Sequence, residues 1–287
     1  MRYLSIGLCL LLLSTPAYSQ GRPPVQFKLI DKTRLASDLP DISRSFVLLE
    51  SLRGASTGVL MLEPENPLAS VVLFAGGDGK IFIHADGSID KGNNFLVRSR
   101  QLFARQSLRT IVIQPPSDQP HFLEQRTTTW HMQDIAMLAS YLKSLSDIPV
   151  WLVGTSRGTI SVAAAAAKIP RHLDGVIFTA AVTESNNYDS VYSSDIEAIN
   201  LPALIVQHKE DGCQVTAYDG AIGLKKNLKN SAKSELITFI VGDSGSDDCR
   251  PLSNHGFLGL EETVVQTIAD WIKRTTPIQN QLEINPT

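Results

Sequence analysis

"PVWLVGTSRGTISVAAAAAK", residues 149–168, reads as a buried strand, a tight glycine turn and a helix. "VWLV" is apolar at every position, which fits a strand covered on both faces. Gly154 and Gly158 permit a cramped backbone around Ser156. The small side chains of "SVAAAAAK" let the following helix lie close on a sheet. A serine at such an apex projects its hydroxyl above the carboxyl end of the sheet, where the helix start adds N–H groups and a partial positive charge. Ser156 is therefore read as a nucleophile. The same Gly-x-Ser-x-Gly spacing recurs in "LRGASTGVLM", centred on Ser56. There two strand-like runs flank the turn and no helix follows, so Ser56 reads as part of a hairpin. Context separates the two serines, and the pattern does not.

Outward from this stretch the chain alternates between apolar runs and helical spacing. "SFVLLESL" and "STGVLMLEP" look like a hairpin joined by "RGA". "SVVLFAGG" (70–77), "RTIVIQPPSD" (109–118), "LDGVIFTAAV" (173–182), "LPALIVQH" (201–208) and "SELITFIVGD" (234–243) are further buried strands. "TTTWHMQDIAMLASYLKSL" places Ile135, Leu138 and Leu142 on one helical face, and "EETVVQTIADWIKRTT" is an amphipathic closing helix. Such alternation predicts an α/β fold: one mostly parallel central sheet with helices on both faces and a leading β-hairpin. No linker divides residues 46–275, which are read as one domain. The segment "TESNNYDSVYSSDIEAIN" (183–200), where a lid would be inserted, is short, so a minimal lid and an open site are expected.

The ends read differently. Residues 1–19 have a positive start at Arg2, an apolar run from Leu4 to Leu13, Pro16, and small residues at Ala17 and Ser19, the pattern of a cleaved signal peptide. The apolar run is too short to span a bilayer. The expectation is therefore a secreted or periplasmic protein with no membrane segment after cleavage. Residues 20–45 are read as an N-terminal extension and 276–287 as a polar tail. Removing the signal leaves Cys213 and Cys249, an even pair that in an exported protein predicts a disulfide. A formal net charge of −3 without a Lys/Arg cluster excludes the usual nucleic-acid partner. No metal-ligand spacing and no cofactor motif is recognisable, so neither is expected.

A nucleophilic serine needs a base, and the base needs an orienting acid. With the serine on a strand-to-helix elbow, the acid and then the histidine follow it along the chain. His84, His121 and His131 precede Ser156; His172 follows too soon, and His208 ends a strand in the neighbourhood expected for the acid. His255, in "PLSNHGFLG" after the last strand, is the expected base. Past the strand "ALIVQH", Asp211 is preferred as the acid for its short side chain and the adjacent Gly212, with Glu210 and Glu184 as alternatives. A Cys213–Cys249 bridge would tie the acid loop to the base loop, or merely stabilise two surface loops. Acyl transfer also needs oxyanion donors. The N–H of Arg157 and, after "VVLFAGGDG", the N–H of Gly77 are expected to serve. Arg157, and Arg126 with His131, could meet an anionic substrate group or be ordinary surface and helix-face residues.

"AGGDG", "GTSRG", "KEDGC" and "NHGF", in this order and on these elements, resemble the α/β-hydrolase superfamily over positions 46–275. With "NFLVRSR" and a cysteine after the acid, the chain looks most like small exported bacterial serine hydrolases of poorly defined substrate. The resemblance implies an α/β-hydrolase fold and a serine hydrolase mechanism. One departure is that Ala75 stands where lipases and esterases often carry a histidine before the oxyanion glycine. The reading is an exported carboxylic ester hydrolase acting on a small ester or acyl substrate through an acyl-enzyme, with Ser156, His255 and Asp211 as triad. A peptidase or amidase with the same triad, and a non-catalytic binding protein on a hydrolase fold, are the alternatives.

Overall fold

The computed structural model describes residues 25–84, 86–185, 188–242 and 248–276. The signal peptide read over 1–19 and nearly all of the polar tail read over 276–287 lie outside the described residues. In chain order the elements are β1 (Lys28–Leu35), β2 (Ile42–Glu50), β3 (Ser56–Pro64), β4 (Ala69–Phe74), α1 (Phe95–Arg98), α2 (Arg100–Arg105) and β5 (Leu108–Ile113). Then follow α3 (Thr129–Leu145), β6 (Val150–Thr155), α4 (Gly158–Lys168), β7 (Gly175–Thr179), β8 (Ala203–His208), α5 (Tyr218–Asn227), β9 (Ser234–Phe239) and α6 (Glu261–Thr275).

Nine strands form one sheet in the order β1-β2-β3-β5-β4-β6-β7-β8-β9. β1, β2 and β3 run antiparallel and join antiparallel to β5; from β5 to β9 every pairing is parallel. The period-2 geometry of strands sorts their side chains into two cores. Val72, Phe74, Leu152, Phe178 and Ile205 face the layer of α3, α4 and α5. Val71, Leu73, Trp151, Val153, Ile177 and Leu204 face the layer of α2 and α6. Each fully buried Val, Leu, Ile or Phe contributes about 1.5–3 kcal/mol, less the entropy of fixing it. On the first face, buried Ala163–Ala166 bring α4 down onto the strands. On the second, Trp271 of α6 meets Trp151 edge-on, with ring centroids 5.4 Å apart.

The leading hairpin is β2–β3, in continuous register from Ile42↔Pro64 to Glu50↔Ser56. It is longer than "SFVLLESL" suggests, because β2 begins at Ile42. Residues 28–35, within the segment read as an extension, add β1 at the sheet edge. Seven of the eight β1 residues are exposed, so no apolar alternation marks the strand. Charged Lys28, Asp31, Lys32 and Arg34 suit an open edge. Between β7 and β8 the described residues form only two short 3₁₀ turns, Val191–Ser193 and Ile196–Ala198. Among the described residues no helix is long and apolar enough to cross a membrane.

Candidate active site

The parallel strands place their carboxyl ends along one edge, and three expected residues emerge there. Ser156 follows β6, Asp211 follows β8, and His255 lies in the loop after β9. Ser156 has φ +51°, the left-handed region that a serine rarely adopts. Its surroundings enforce this. The N–H of Ser156 donates to Thr179 O at 3.0 Å, and its carbonyl accepts from Thr159 N at 2.9 Å and Thr159 Oγ1 at 2.6 Å. A Cβ on Gly158 would stand 2.0 Å from Phe74 O, and one on Gly154 would stand 2.6 Å from Gly158 O. Both glycines are thus demanded by backbone running against backbone. Strain held in place this way concentrates at functional sites.

The loop leaving β4 lies against this elbow. A Cβ on Gly76 would be 2.8 Å from Ser156 Cβ. Gly77, the next residue, has φ +61°, and a Cβ there would meet nothing within 4 Å. Arg157, whose N–H is the other expected donor, stands at the start of α4. Its guanidinium lies over the Tyr188 ring, 4.3 Å from the centroid.

Asp211 and His255 meet directly. His255 Nδ1 is 3.0 Å from Asp211 Oδ2 and 3.2 Å from Oδ1, and the carboxylate side chain is 0% exposed. Three further donors hold that carboxylate: Gln207 Nε2 at 3.0 Å, Thr216 Oγ1 at 2.9 Å and Cys213 N at 3.0 Å. A buried carboxylate tolerates burial only when so satisfied. Gln207 and Thr216 were not legible as site residues. The one available signal was a glutamine inside the apolar run "ALIVQH". Cys213 and Cys249 form a disulfide across a sequence separation of 36. It joins the loop of Asp211 to the segment that leads into His255.

The loop of His255 has its own clamp. Arg98 donates to Gly256 O at 2.6 Å, Pro251 O at 3.2 Å and Asn93 O at 2.7 Å, and pairs with Glu261 at 2.7 Å. A Cβ on Gly256 would stand 1.9 Å from Pro251 O, so only glycine closes that turn. Glu210, an alternative acid, offers its backbone carbonyl to Asn254 Nδ2 at 3.2 Å. Ser56 opens β3 opposite Glu50 and exchanges hydrogen bonds with Ser117, at 3.0 and 2.8 Å.

His131 is a helix-face residue in the first turn of α3, as one reading had it, whereas Arg126 answers neither reading. Arg126 and His131 are neither at the surface nor open to a substrate anion, being 1% and 0% exposed. Burial, then the Arg126 charge, pushes the His131 pKa down to about 3, so its ring is neutral. Among the described residues, no cluster of three or more His, Cys, Asp or Glu could hold a metal.

No family model and no curated protein sequence matches the chain. Solved structures do. A cold-adapted esterase from an Arctic intertidal metagenomic library superposes with TM-score 0.58 at 12% identity, over 83% of this chain and 96% of that one. Brefeldin A esterase, a bacterial homologue of human hormone-sensitive lipase, gives 0.59 at 14%, over 84% and 80%. Dienelactone hydrolase from Anabaena variabilis gives 0.53 at 16%, over 82% and 98%. The chain has the α/β-hydrolase fold.

Proposed function

We propose that this α/β-hydrolase-fold chain is an exported serine hydrolase that cleaves carboxylic esters through an acyl-enzyme. The observation that carries the reading is His255, held by Nδ1 at 3.0 Å against the fully buried Asp211 on the edge where the strained Ser156 stands. Such a pair fixes the imidazole tautomer and its orientation. Nε2 of His255 takes the Ser156 proton as Oγ bonds to the ester carbonyl carbon, and the carbonyl π electrons pass to oxygen. The N–H groups of Arg157 and Gly77 stabilise that oxyanion. The C–O bond to the leaving alkoxide then breaks, and the imidazolium gives its proton to that oxygen. Water repeats the sequence on the acyl-enzyme, releasing the acid and restoring Ser156.

Esters are preferred over amides because the esterases named above share the fold. Export is supported by the disulfide, which persists in oxidising compartments. The test is hydrolysis of p-nitrophenyl acetate and butyrate. Ser156→Ala is expected to lower kcat by about 10⁴-fold or more while the chain stays folded. A folded Ser156→Ala variant with undiminished turnover contradicts the assignment.

A further inference from the structure

Arg126 lies beneath the loop that leaves β4, and its fork reaches both elements that bracket Ser156. Nη2 donates to Ala75 O at 3.0 Å and Gly77 O at 3.3 Å. Nη1 donates to Ser161 Oγ on α4 at 3.1 Å, and that hydroxyl is 3.0 Å from Nε2 of the neutral His131. Gly79 makes room for the fork: a Cβ there would be 2.7 Å from Nη2. The charge is poorly compensated. Asp78 attracts it only from a distance and is itself bound to Lys91 at 2.8 Å. Burial, then repulsion from Arg157, lowers the Arg126 pKa to about 9. For stability alone an apolar side chain of similar volume would often serve as well.

We propose that Arg126 is the positioning residue of the oxyanion loop, tying Ala75 and Gly77 to the nucleophile's helix while holding a positive charge behind the developing oxyanion. The assignment rests on the acyl-transfer reading above. The N–H of Gly77 belongs to the peptide between the two anchored carbonyls, so fixing both neighbours removes rotations that a Gly76–Gly77 pair would otherwise sample. Oxyanion stabilisation depends on donors placed before the reaction. A cation in a poorly solvated site also favours the anionic tetrahedral state over the neutral ester.

The test compares wild type with Arg126→Gln, Arg126→Lys and Ser161→Ala. It measures kcat and KM on p-nitrophenyl butyrate, affinity for a butyl boronate, and thermal stability. The boronate adds covalently to the serine and carries the negative charge of the intermediate. We expect Arg126→Gln to lower kcat about 100-fold with KM nearly unchanged, and to weaken boronate binding in parallel, the size of losing one oxyanion donor. Arg126→Lys keeps the charge without the fork and should recover about tenfold of that loss. Ser161→Ala, which leaves the guanidinium in place, should lower kcat about fivefold. If Arg126→Gln does not fold, the lysine and Ser161 variants carry the test. A merely structural role would reduce thermal stability while leaving kcat and boronate affinity per folded molecule intact, and that result overturns the proposal. A wild type that neither hydrolyses the ester nor binds the boronate overturns the functional reading and this assignment together.

Discussion

Two five-residue stretches share the spacing Gly-x-Ser-x-Gly and do opposite things. At 154–158 each glycine is pressed against main chain, and the serine between them sits at φ +51°. At 54–58 the serine is an ordinary strand residue. A Cβ on Gly54 (φ +81°) would meet nothing within 4 Å, and the nearest atoms to one on Gly58 are side-chain ends of Gln114 and Phe46, at 2.7 and 2.9 Å. The hairpin tip beside it is held by side chains instead. Arg53 pairs with Asp134 at 2.7 Å and with Asp118, and lies 4.8 Å from the Trp130 ring centroid. At 154–158 the glycines are fixed by main chain pressed against main chain, whereas at 54–58 one lies in an open turn and the other faces side chains within β3.

That contrast can be broken by substitution. Gly158→Ala would drive a methyl group into Phe74 O, where β4 cannot yield, and should cost about 4 kcal/mol or prevent folding. Gly58→Ala needs only side chains to move and should cost about 1 kcal/mol. Denaturant unfolding of the two variants checks this, and equal costs would end the distinction. A smaller effect is expected at the helpers of the elbow. Replacing Cys213 and Cys249 by serine should remove about 3.5–4 kcal/mol, as for a closed loop of this length. It should also lower kcat, whereas Arg53→Met on the hairpin side should lower stability alone. Ester hydrolysis and chemical unfolding of both variants separate the two outcomes. A further effect concerns pH, and it accumulates unit by unit. His131 stays neutral in the folded chain down to about 3, while the unfolded chain takes up a proton near 6.5. Between those values the unfolded state binds more protons, so stability present above pH 6.5 is lost as pH falls, by about 1.4 kcal/mol per unit. His131→Gln should remove that slope, as measured by unfolding at pH 4, 5 and 6.

The centre of the parallel half of the sheet was legible because strands such as β6 and β8 are buried on both faces and leave unbroken apolar runs, "VWLV" and "ALIV". β1 was not, since an exposed edge strand carries no such pattern. α5 escaped for a related reason: "YDGAIGLKKN" buries only Ala221 and Leu224 and contains two glycines that weaken helical propensity. At the site, the order of Ser156, Asp211 and His255 followed from elements that could be read locally. The carboxylate's other partners could not. Thr216 and Gln207 reach Asp211 only because β8 and the turn after it fold back on themselves. Arg126 and His131 come from the stretch that opens α3 and Ser161 from α4, and neither segment shows in its own composition that a buried cation lies between them. Reading Arg126 as a surface or substrate-facing group failed for that reason.

The most direct measurement labels the folded, disulfide-intact protein with a fluorophosphonate and maps the modified peptide by mass spectrometry. A single adduct on Ser156, none on Ser56, and no labelling of Ser156→Ala are expected. An adduct on Ser56, or an unlabelled wild type, would contradict Ser156 as the nucleophile.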